Sequence, residues 1–476
     1  MQDKPLSRRD ALGLGAKVAT LAALDSALPA RLRAQNARPA VRIFDVLTYG
    51  AKGDGATPDT AAIQRAIDEA SAAGNGAQVL LRGGKKYLIG TLQLKSGIDF
   101  HLADDAEILV STDRNDYPGG VAALTALNAV GLRLTGTGRI NGRSPEFMTG
   151  YDAENEWWRP AAFRPRLAQL TGCKDLEVHD VTFFQAPSWT LHLVGCERAL
   201  VDGIKIRNQL DVPNCDGIDP DHCRDLEIRN CDIVCGDDAI VIKTTRQAAD
   251  YGPSSNIVVK DCVLETQDSG LKIGTETTQD IHDIRFERCE IKTGCRGLCI
   301  QLRDAGNIYN IAFRDIKFTA QYFSNPWWGR GEAISLTALP RTPQAPLGTM
   351  HDITFQNITG RAENSARFEG SAGSRLRGLR LENVALTLDR WTKYPGGFFD
   401  NRPTQPPPDI EQHNTPGICL RHADQVTLQK CSVAWGKNPP DYFSHALLAE
   451  DVTGLALTDF SGAAAHPERD PAMRIN

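Results

Sequence analysis

Short runs in which apolar and polar residues alternate recur along the chain, each of them after a turn. A run reads apolar-x-apolar, two polar residues, then apolar-x-apolar, as in residues 173–183, 196–206 and 223–233. Period-two alternation over so few residues predicts a strand with one buried face. The first apolar positions of successive runs are Leu176, Leu200, Leu226, Ile257, Ile284, Ile311, Ile353, Leu379 and Val426.

The spacing of these positions predicts a repeat architecture. Most gaps are 24 to 31 residues, and two are longer, at 42 and 47 residues. A single coil cannot bury its apolar face, but stacked coils bury a continuous core. We therefore predict an all-β fold, a single-stranded right-handed parallel β-helix, with Gly, Asn and Asp in the turns. The longer gaps indicate either loops inserted into a coil or additional coils.

The ends of such a stack need covers, because open sheet edges invite aggregation. Residues 59–68 are apolar at positions 62, 63, 66 and 67, which is the period of an amphipathic helix, and Asp59 stands at the N-cap position. We expect this short helix to cap the N-terminal end. The Pro- and Gly-rich stretch from Tyr394 to Pro416 is predicted to be a long loop and not a second domain.

The N-terminal residues carry an export pattern. Residues 7–12, Ser-Arg-Arg-Asp-Ala-Leu, resemble a twin-arginine motif with Ala11 in place of the usual Phe, and a weakly apolar stretch interrupted by Lys17 and Asp25 follows. This stretch is a poor transmembrane span. We expect a twin-arginine signal peptide at 1–34 and a β-helix domain at 35–476 that is periplasmic or secreted and not inserted in a membrane. The alternative is a disordered basic tail.

Composition narrows the range of partners. The chain has 53 Lys and Arg against 59 Asp and Glu, a formal net charge of −6, so no basic field indicates nucleic acid or an anionic membrane. Because a free cysteine packs as a small hydrophobe, we expect mostly reduced, stacked thiols in the core rather than disulfides. The cysteines beside the strand runs are Cys173, Cys196, Cys223, Cys231, Cys262, Cys289 and Cys431.

Two acidic clusters, at residues 214–219 and 235–239, are the strongest candidates for chemistry. Asp216 and Asp237 are 21 residues apart, close to one coil, so they and Asp238 are expected on one side of neighbouring coils. Like charges disfavour joint ionisation and raise at least one pKa. A protonated carboxyl beside an ionised one is what glycoside hydrolysis needs. The alternative is a turn ladder of Asp and Asn, which is common in β-helices.

Four segments occur in a characteristic order: FDVLTYGAKGDGATPDTAAIQRAID from Phe44, then RPRLAQL, APSWTLH and NCDGIDPDHCRDLEIRNCDIVCGDDAIVIKT. Together they resemble glycoside hydrolase family 28, the polygalacturonase family, most closely from Phe44 to Leu302. The resemblance implies that Asp237 is the general acid and that Asp216 and Asp238 activate a water on the opposite face of the sugar. It further implies inversion of the anomeric centre and no metal or cofactor.

Two elements of the resembled family are altered. Residues 267–270, Gln-Asp-Ser-Gly, replace a Gly-His-Gly element, and Cys299-Ile300-Gln301 replaces an Arg-Ile-Lys element. An Arg and Lys pair is the natural partner of a substrate carboxylate, so its loss predicts a sugar that is neutral or carries its charge elsewhere. The candidate substrate-binding residues are Asn214, Lys243, Asp268, Lys272, Arg296, Arg303, Trp327 and Trp328.

Several alternatives stay open. Residues 325–332 break the coil pattern, and Trp327 and Trp328 suit either stacking on sugar rings or packing on the outside of the solenoid. A polysaccharide lyase, for which the paired Asp clusters would be calcium ligands, and a non-catalytic glycan-binding β-helix share the fold. Segments 142–164 and 321–348 are candidates to close one end of the groove, which favours attack on chain ends. The substrate is expected to be a polysaccharide or oligosaccharide; its sugar and linkage, and the oligomeric state, have no readable pattern.

Overall fold

The computed structural model describes residues 41–74, 76–119, 122–405 and 408–476. Within them the chain winds into a parallel β-helix, in which the strands of one coil pair with the strands of the neighbouring coils. The all-β solenoid predicted from the alternating runs is confirmed. The predicted signal peptide at 1–34 lies outside the described residues.

Three ladders of parallel strands form the sides of the solenoid. The first ladder consists of Ile43–Asp45, Ala77–Leu81, Ile98–Leu102, Arg133–Gly136, Lys174–His179, Glu197–Asp202, Arg224–Arg229, Ser254–Lys260, Ile281–Glu287, Ile308–Ala320, Met350–Ala362, Leu376–Leu388, Thr427–Gln429 and Ala456–Thr458. The second consists of Asp54–Pro58, Lys86–Ile89, Glu107–Val110, Arg139–Asn141, Thr182–Phe184, Lys205–Arg207, Asp232–Cys235, Val263–Thr266, Glu290–Gly294 and Ser432–Trp435, and the three 13-residue strands of the first ladder run on into it. The third consists of Leu92–Leu94, Ala122–Leu127, Arg166–Thr171, Leu191–Val194, Ile218–Asp221, Ile240–Thr244, Ser269–Thr277, Arg296–Leu302, Glu332–Ala338, Asn364–Glu369, Ile418–Asp424, Leu447–Thr453 and Met473–Ile475.

The apolar residues predicted to begin each run pair with one another along the first ladder, with one exception. Leu226, Ile257, Ile284, Ile311, Ile353 and Leu379 pair in direct succession. Leu176, however, pairs with Ala199 and not with Leu200. Arg198 adopts the left-handed conformation that Asp175 and Asp225 adopt in the neighbouring coils, and the inward position comes directly after it. Ala199 is therefore buried and Leu200 only half-buried, although Leu is the larger apolar residue.

The two long gaps are inserted segments and not additional coils. Ile311 pairs directly with Ile353, and Leu376–Leu388 pairs directly with Thr427–Gln429. The stretch predicted as a long loop contains two antiparallel strands, Phe398–Asp400 and Ile410–Gln412, which we call the second hairpin. An earlier insertion forms the first hairpin, Met148–Asp152 with Trp157–Pro160.

A helix at Thr60–Ala73 packs on the first strands of the solenoid. It buries the predicted apolar residues together with one more: Ala62, Ile63, Ala66, Ile67 and Ala70. Asp59 is the N-cap residue, as predicted, but its side chain makes no cap hydrogen bond. The Asp59 carboxylate instead accepts the backbone N–H groups of Lys52 at 2.6 Å and Gly53 at 3.0 Å, and so closes the preceding turn. Short 3₁₀ helices occupy Val46–Tyr49, Arg114–Asp116 and Ser144–Phe147. In the described part of the chain, no helix has the length and apolarity to cross a membrane.

Side chains stack along the core from coil to coil. All twelve cysteines are free and buried, as expected for small apolar residues. Cys196 lies between Cys173 and Cys223 in one column of thiols. Phe286, Phe313 and Phe355 form a second column with ring centroids 4.7 and 4.9 Å apart.

The middle strands of the third ladder differ from those of the other two ladders because both of their faces are covered. Every residue of Arg296–Leu302 and of Glu332–Ala338 is buried, including the charged ones. The inserted segments lie over the outward face of these strands, as the contacts of Arg296 with Asp400 and of Gln301 with Arg402 show. This covered face is where the acidic clusters lie.

Candidate active site

The acidic residues come together at the beginnings of successive third-ladder strands. Asp216 precedes Ile218–Asp221, and Asp237 and Asp238 precede Ile240–Thr244. One carboxylate oxygen from each of these three residues lies within 4.8 Å of the others. Asp216 and Asp238 are buried and Asp237 is partly exposed.

Glycines next to the carboxylates allow the coils to approach so closely. A Cβ atom on Gly217 would lie 2.3 Å from the carbonyl oxygen of Ala239, and one on Gly236 would lie 2.3 Å from that of Val212. Any side chain at either position would push the backbone apart. The close approach of the coils thus explains why a glycine stands next to the aspartates in both clusters.

The three aspartates form the floor of a cavity of about 500 Å³, a volume typical of small-ligand sites. Of the predicted residues, Asn214, Asp216, Asp237, Asp238, Lys243, Asp268, Lys272, Trp327 and Trp328 line it. It is completed by Trp157, Pro160, Trp189, Pro213, Gly274, Thr275, Glu276, Pro326, Arg341 and Pro403. Trp157 and Trp189 lie in segments whose aromatic residues were visible in the sequence, whereas Pro403 comes from a stretch that gave no functional signal.

Neighbouring carboxyls in the cluster have opposite shifts in pKa. Burial and the charges of Asp216 and Asp238 raise the pKa of Asp237 to about 7. Burial acts in the same sense on Asp238, but Lys272, with Nζ 2.7 Å from the carboxylate, and then Lys243 hold the pKa of Asp238 below its ordinary value. At mildly acidic pH a protonated Asp237 therefore stands beside an ionised Asp238, the pairing that acid–base hydrolysis requires.

Asp216 belongs to a second charged group in the same cavity. Lys243 Nζ lies 3.4 Å from Asp216 and 3.1 Å from Asp219, and 3.9 Å from the centre of the Trp189 ring. Burial and the charge of Asp219 raise the pKa of Asp216 well above its ordinary value. Asp219 was not predicted as a site residue, although it belongs to the first acidic cluster.

Asp268 occupies the region of the missing family histidine. It is 4% exposed and accepts a hydrogen bond of 2.9 Å from the Ser269 hydroxyl. Burial and the charge of Asp238 raise its pKa well above the ordinary value. In its neutral form Asp268 carries an O–H that can donate a hydrogen bond.

Two predicted residues are not brought to the cavity. Arg296 and Arg303 have no exposed surface and do not line it. Arg303 donates to the carbonyl oxygens of Leu302 and Thr337, and Arg296 lies 3.9 Å from both Asp268 and Asp400. The inserted segments cover these strands, so neither guanidinium has a surface to offer to a substrate in this conformation.

Every lysine and arginine among the described lining residues already has a carboxylate partner. Lys243 pairs with Asp219, Lys272 with Asp238, and Arg341 with Asp304 at 2.8 Å. The three clustered aspartates have the donor chemistry for a divalent cation. The two buried lysines supply positive charge in the same place and would repel one.

The chain is similar to known proteins over most of its length. The model of Glycosyl hydrolases family 28 matches residues 75–394, and one described as Rhamnogalacturonase A/epimerase, pectate lyase-like, matches residues 43–101. A probable polygalacturonase of Vitis vinifera is 27% identical over 437 residues, covering 81% of this chain and 86% of that protein. A polygalacturonase of Ralstonia nicotianae is 23% identical over 475 residues, covering 86% and 83% respectively.

Solved structures share the fold. The family 28 exopolygalacturonase of Yersinia enterocolitica superposes with a TM-score of 0.62 at 18% identity, covering 89% of this chain and 79% of that one. An exopolygalacturonase of Thermotoga maritima gives a TM-score of 0.61 at 20% identity, covering 83% and 92%. Because the family model spans more than half of the sequence, this chain belongs to glycosyl hydrolase family 28 and is a glycosidase.

Proposed function

We propose that the protein hydrolyses a glycosidic bond with Asp237 as the general acid and Asp238 as the ionised base. Asp216 and Asp238 hold the attacking water, and Asp237 protonates the leaving oxygen. The observation that carries this assignment is the pair of opposite pKa shifts in adjacent carboxyls, raised to about 7 in Asp237 and lowered in Asp238. A general acid must keep its proton at the working pH, and a base must have lost it.

We further infer inversion of the anomeric centre. Inverting enzymes commonly separate acid and base by roughly 6.5–9.5 Å and retaining enzymes by roughly 5–5.5 Å, whereas oxygens of all three aspartates here lie within 4.8 Å. We infer inversion in spite of this short distance between the acid and the base, because the site has a third carboxylate besides this pair. Asp216 and Asp238 together can hold a water on the face of the sugar opposite the leaving oxygen that Asp237 protonates, so the position of the water does not depend on a single acid–base distance. Proton NMR of the first-formed product distinguishes the two outcomes, since retention would make Asp216 or Asp238 a nucleophile.

The substrate sugar at the cleavage point is proposed to be neutral rather than a galacturonate. This rests on the charges around the cavity, where Lys243, Lys272 and Arg341 are all paired with carboxylates. Cys299 and Gln301 are buried and carry no charge for a substrate carboxylate. Trp157 and Trp328 offer aromatic surface of the kind that stacks on sugar rings.

Export by the twin-arginine route is part of the proposal and is supported by residues 7–12 of the sequence. A polysaccharide-degrading enzyme meets its substrate outside the cytoplasm, which agrees with that route. Fractionation of cells that express the full-length protein, with and without an Arg8→Lys and Arg9→Lys double substitution, tests it. Retention of the double variant in the cytoplasm is the expected result.

The activity test is an incubation of the purified protein with pectic, hemicellulosic and bacterial polysaccharides. Reducing ends and the absorbance of unsaturated uronates are followed together for the wild type, for Asp237→Asn and for Asp232→Asn. Asp232 lies on the same coil but outside the cavity, paired with Arg207, so it is the matched control. New reducing ends without the chromophore, lost in Asp237→Asn and kept in Asp232→Asn, are expected.

The other outcomes identify the competing functions. Appearance of the unsaturated chromophore would establish a lyase. A response to polygalacturonate alone would refute the argument from the paired cations. Binding to a polymer without any product, unchanged in Asp237→Asn, would establish a non-catalytic glycan-binding protein.

A further inference from the structure

Three inserted segments meet on one side of the catalytic cavity. They are the first hairpin, the second hairpin and the segment 321–331, which we call the tryptophan loop. Trp157 of the first hairpin packs edge to face on Trp327 with ring centroids 6.0 Å apart. Ser324 donates to the carbonyl oxygen of Asn155 at 2.5 Å. The three segments together form one wall, and each contributes residues that line the cavity.

A single buried carboxylate joins two parts of this wall. Asp400, at the end of a strand of the second hairpin, is 1% exposed. It accepts the backbone N–H of Gly329 in the tryptophan loop at 2.7 Å. It also binds the guanidinium of Arg402 at 2.6 Å and lies 3.5 Å from that of Arg330. A buried carboxylate with this many partners is fixed in position, because movement away from them would break several charge-assisted hydrogen bonds and ion pairs in a place without water.

Arg402 forms a second link between Asp400 and the tryptophan loop. Its guanidinium donates to the carbonyl oxygen of Trp327 at 2.7 Å and lies 5.9 Å from the centre of the Trp328 ring. The next residue, Pro403, lines the cavity. Asp400 itself does not line the cavity, so whatever it does for catalysis is done through these neighbours.

Arg296 connects the same carboxylate to the cavity floor. Its guanidinium lies 3.9 Å from Asp400 on one side and 3.9 Å from Asp268 on the other. Glu332 adds a further carboxylate 4.0 Å from the guanidinium. Arg296, which the sequence suggested as a substrate ligand, is therefore part of the link between floor and wall.

We propose that Asp400 is the positioning residue of this wall, holding Trp327, Trp328 and Pro403 against the cavity so that the enzyme accepts the end of a glycan chain rather than its interior. The proposal rests on the hydrolytic function proposed above and adds its mode of attack. A cavity of about 500 Å³ with three segments along one side has room for a few sugar rings, and this wall is where a continuing chain would be blocked.

The test compares the full-length wild type with Asp400→Asn, which keeps the shape of the side chain and removes its charge. The matched control is Asp424→Asn, since Asp424 also binds an arginine, Arg375, at 2.9 Å but lies away from the cavity. On the responding polymer we expect KM to rise about tenfold in Asp400→Asn with little change in kcat. We also expect short terminal products from the wild type and a spread of longer products from the variant. Asp424→Asn should match the wild type in both respects.

Hydrogen exchange gives a readout that needs no activity. Backbone amides of residues 321–331 should exchange faster in Asp400→Asn than in the wild type. In Asp424→Asn they should exchange at the wild-type rate. Arg402→Gln should reproduce both effects and serves if Asp400→Asn does not fold. Unchanged exchange and unchanged products in a folded variant would overturn the proposal, as would long internal products from the wild type. A wild type that cleaves no polymer would refute the proposed function, and the exchange result alone would then decide whether Asp400 holds the wall.

Discussion

Replacing Asp237 by Asn should stabilise the protein at alkaline pH while abolishing its activity. The pKa of Asp237 rises from 3.8 to about 7 on folding, through burial and the charges of Asp216 and Asp238. Between about pH 4 and 7 the folded state keeps a proton that the unfolded chain has lost. The contribution of Asp237 to the stability of the wild type therefore falls as the pH rises through this interval, because this group holds a proton in the folded state that it has lost in the unfolded state. An Asn carries no such penalty.

The size of the effect follows from the shift. Three pKa units at about 1.4 kcal/mol each give an upper limit of about 4 kcal/mol above pH 7, and Asp216 shares part of it. For a chain of 476 residues the entropy of unfolding is about 1 kcal/mol/K, so the variant should melt about 2–4 °C higher at pH 8. At pH 4 the two proteins should melt together, because Asp237 is protonated in the folded wild type.

Thermal melts of wild type, Asp237→Asn and Asp424→Asn between pH 4 and pH 9 test this. Asp424 is a control of opposite sign, since its hydrogen bond with Arg375 lowers its pKa to about 2. Replacement of Asp424 by Asn should therefore not raise the melting temperature at pH 8. Equal melting temperatures of wild type and Asp237→Asn at pH 8 would show that the cluster does not hold Asp237 protonated, and would remove the basis for its role as the acid.

Three further outcomes follow from the site. The kcat/KM of the wild type should fall about tenfold per pH unit above pH 7, as Asp237 loses its proton, and a plateau up to pH 9 would contradict the assignment. Lys272→Met should lower kcat at least about tenfold and move the acidic limb of the pH profile to higher pH, because Lys272 is the main group that lowers the pKa of Asp238. The matched control is Lys260→Met, which removes a lysine paired with Glu227 outside the site. A thiol reagent such as dithionitrobenzoate should titrate all twelve buried cysteines only after denaturation, and rapid reaction in the native protein would refute their packing in the core.

The sequence was sufficient for the parts of the structure that depend on local patterns. Strand runs such as 223–233 were visible because alternation and turn residues repeat in every coil. The same reasoning placed Asp216 and Asp237 on neighbouring coils. It failed by one residue at Leu200, because an arginine occupies the left-handed turn position where most other coils have Asp, Asn or Gly.

Long-range features of the site were beyond such reasoning. Arg296 was expected to face a substrate, but its burial depends on Asp400, more than a hundred residues further along the chain. No local pattern marks Asp400, since it lies in a Pro- and Gly-rich stretch without periodicity. Which polar residues of the third ladder meet the substrate is decided by the insertions that cover it and not by the strands themselves.

The undisturbed pairing across both long insertions has an evolutionary consequence. Ile311 pairs with Ile353 in the same register that coils without an insertion have, and the register likewise continues past the second hairpin. The inserted segments can therefore be lengthened, shortened or exchanged without a change in the register of the core strands. Selection on which glycan is cleaved, and where along its length, can therefore proceed almost independently of selection on folding.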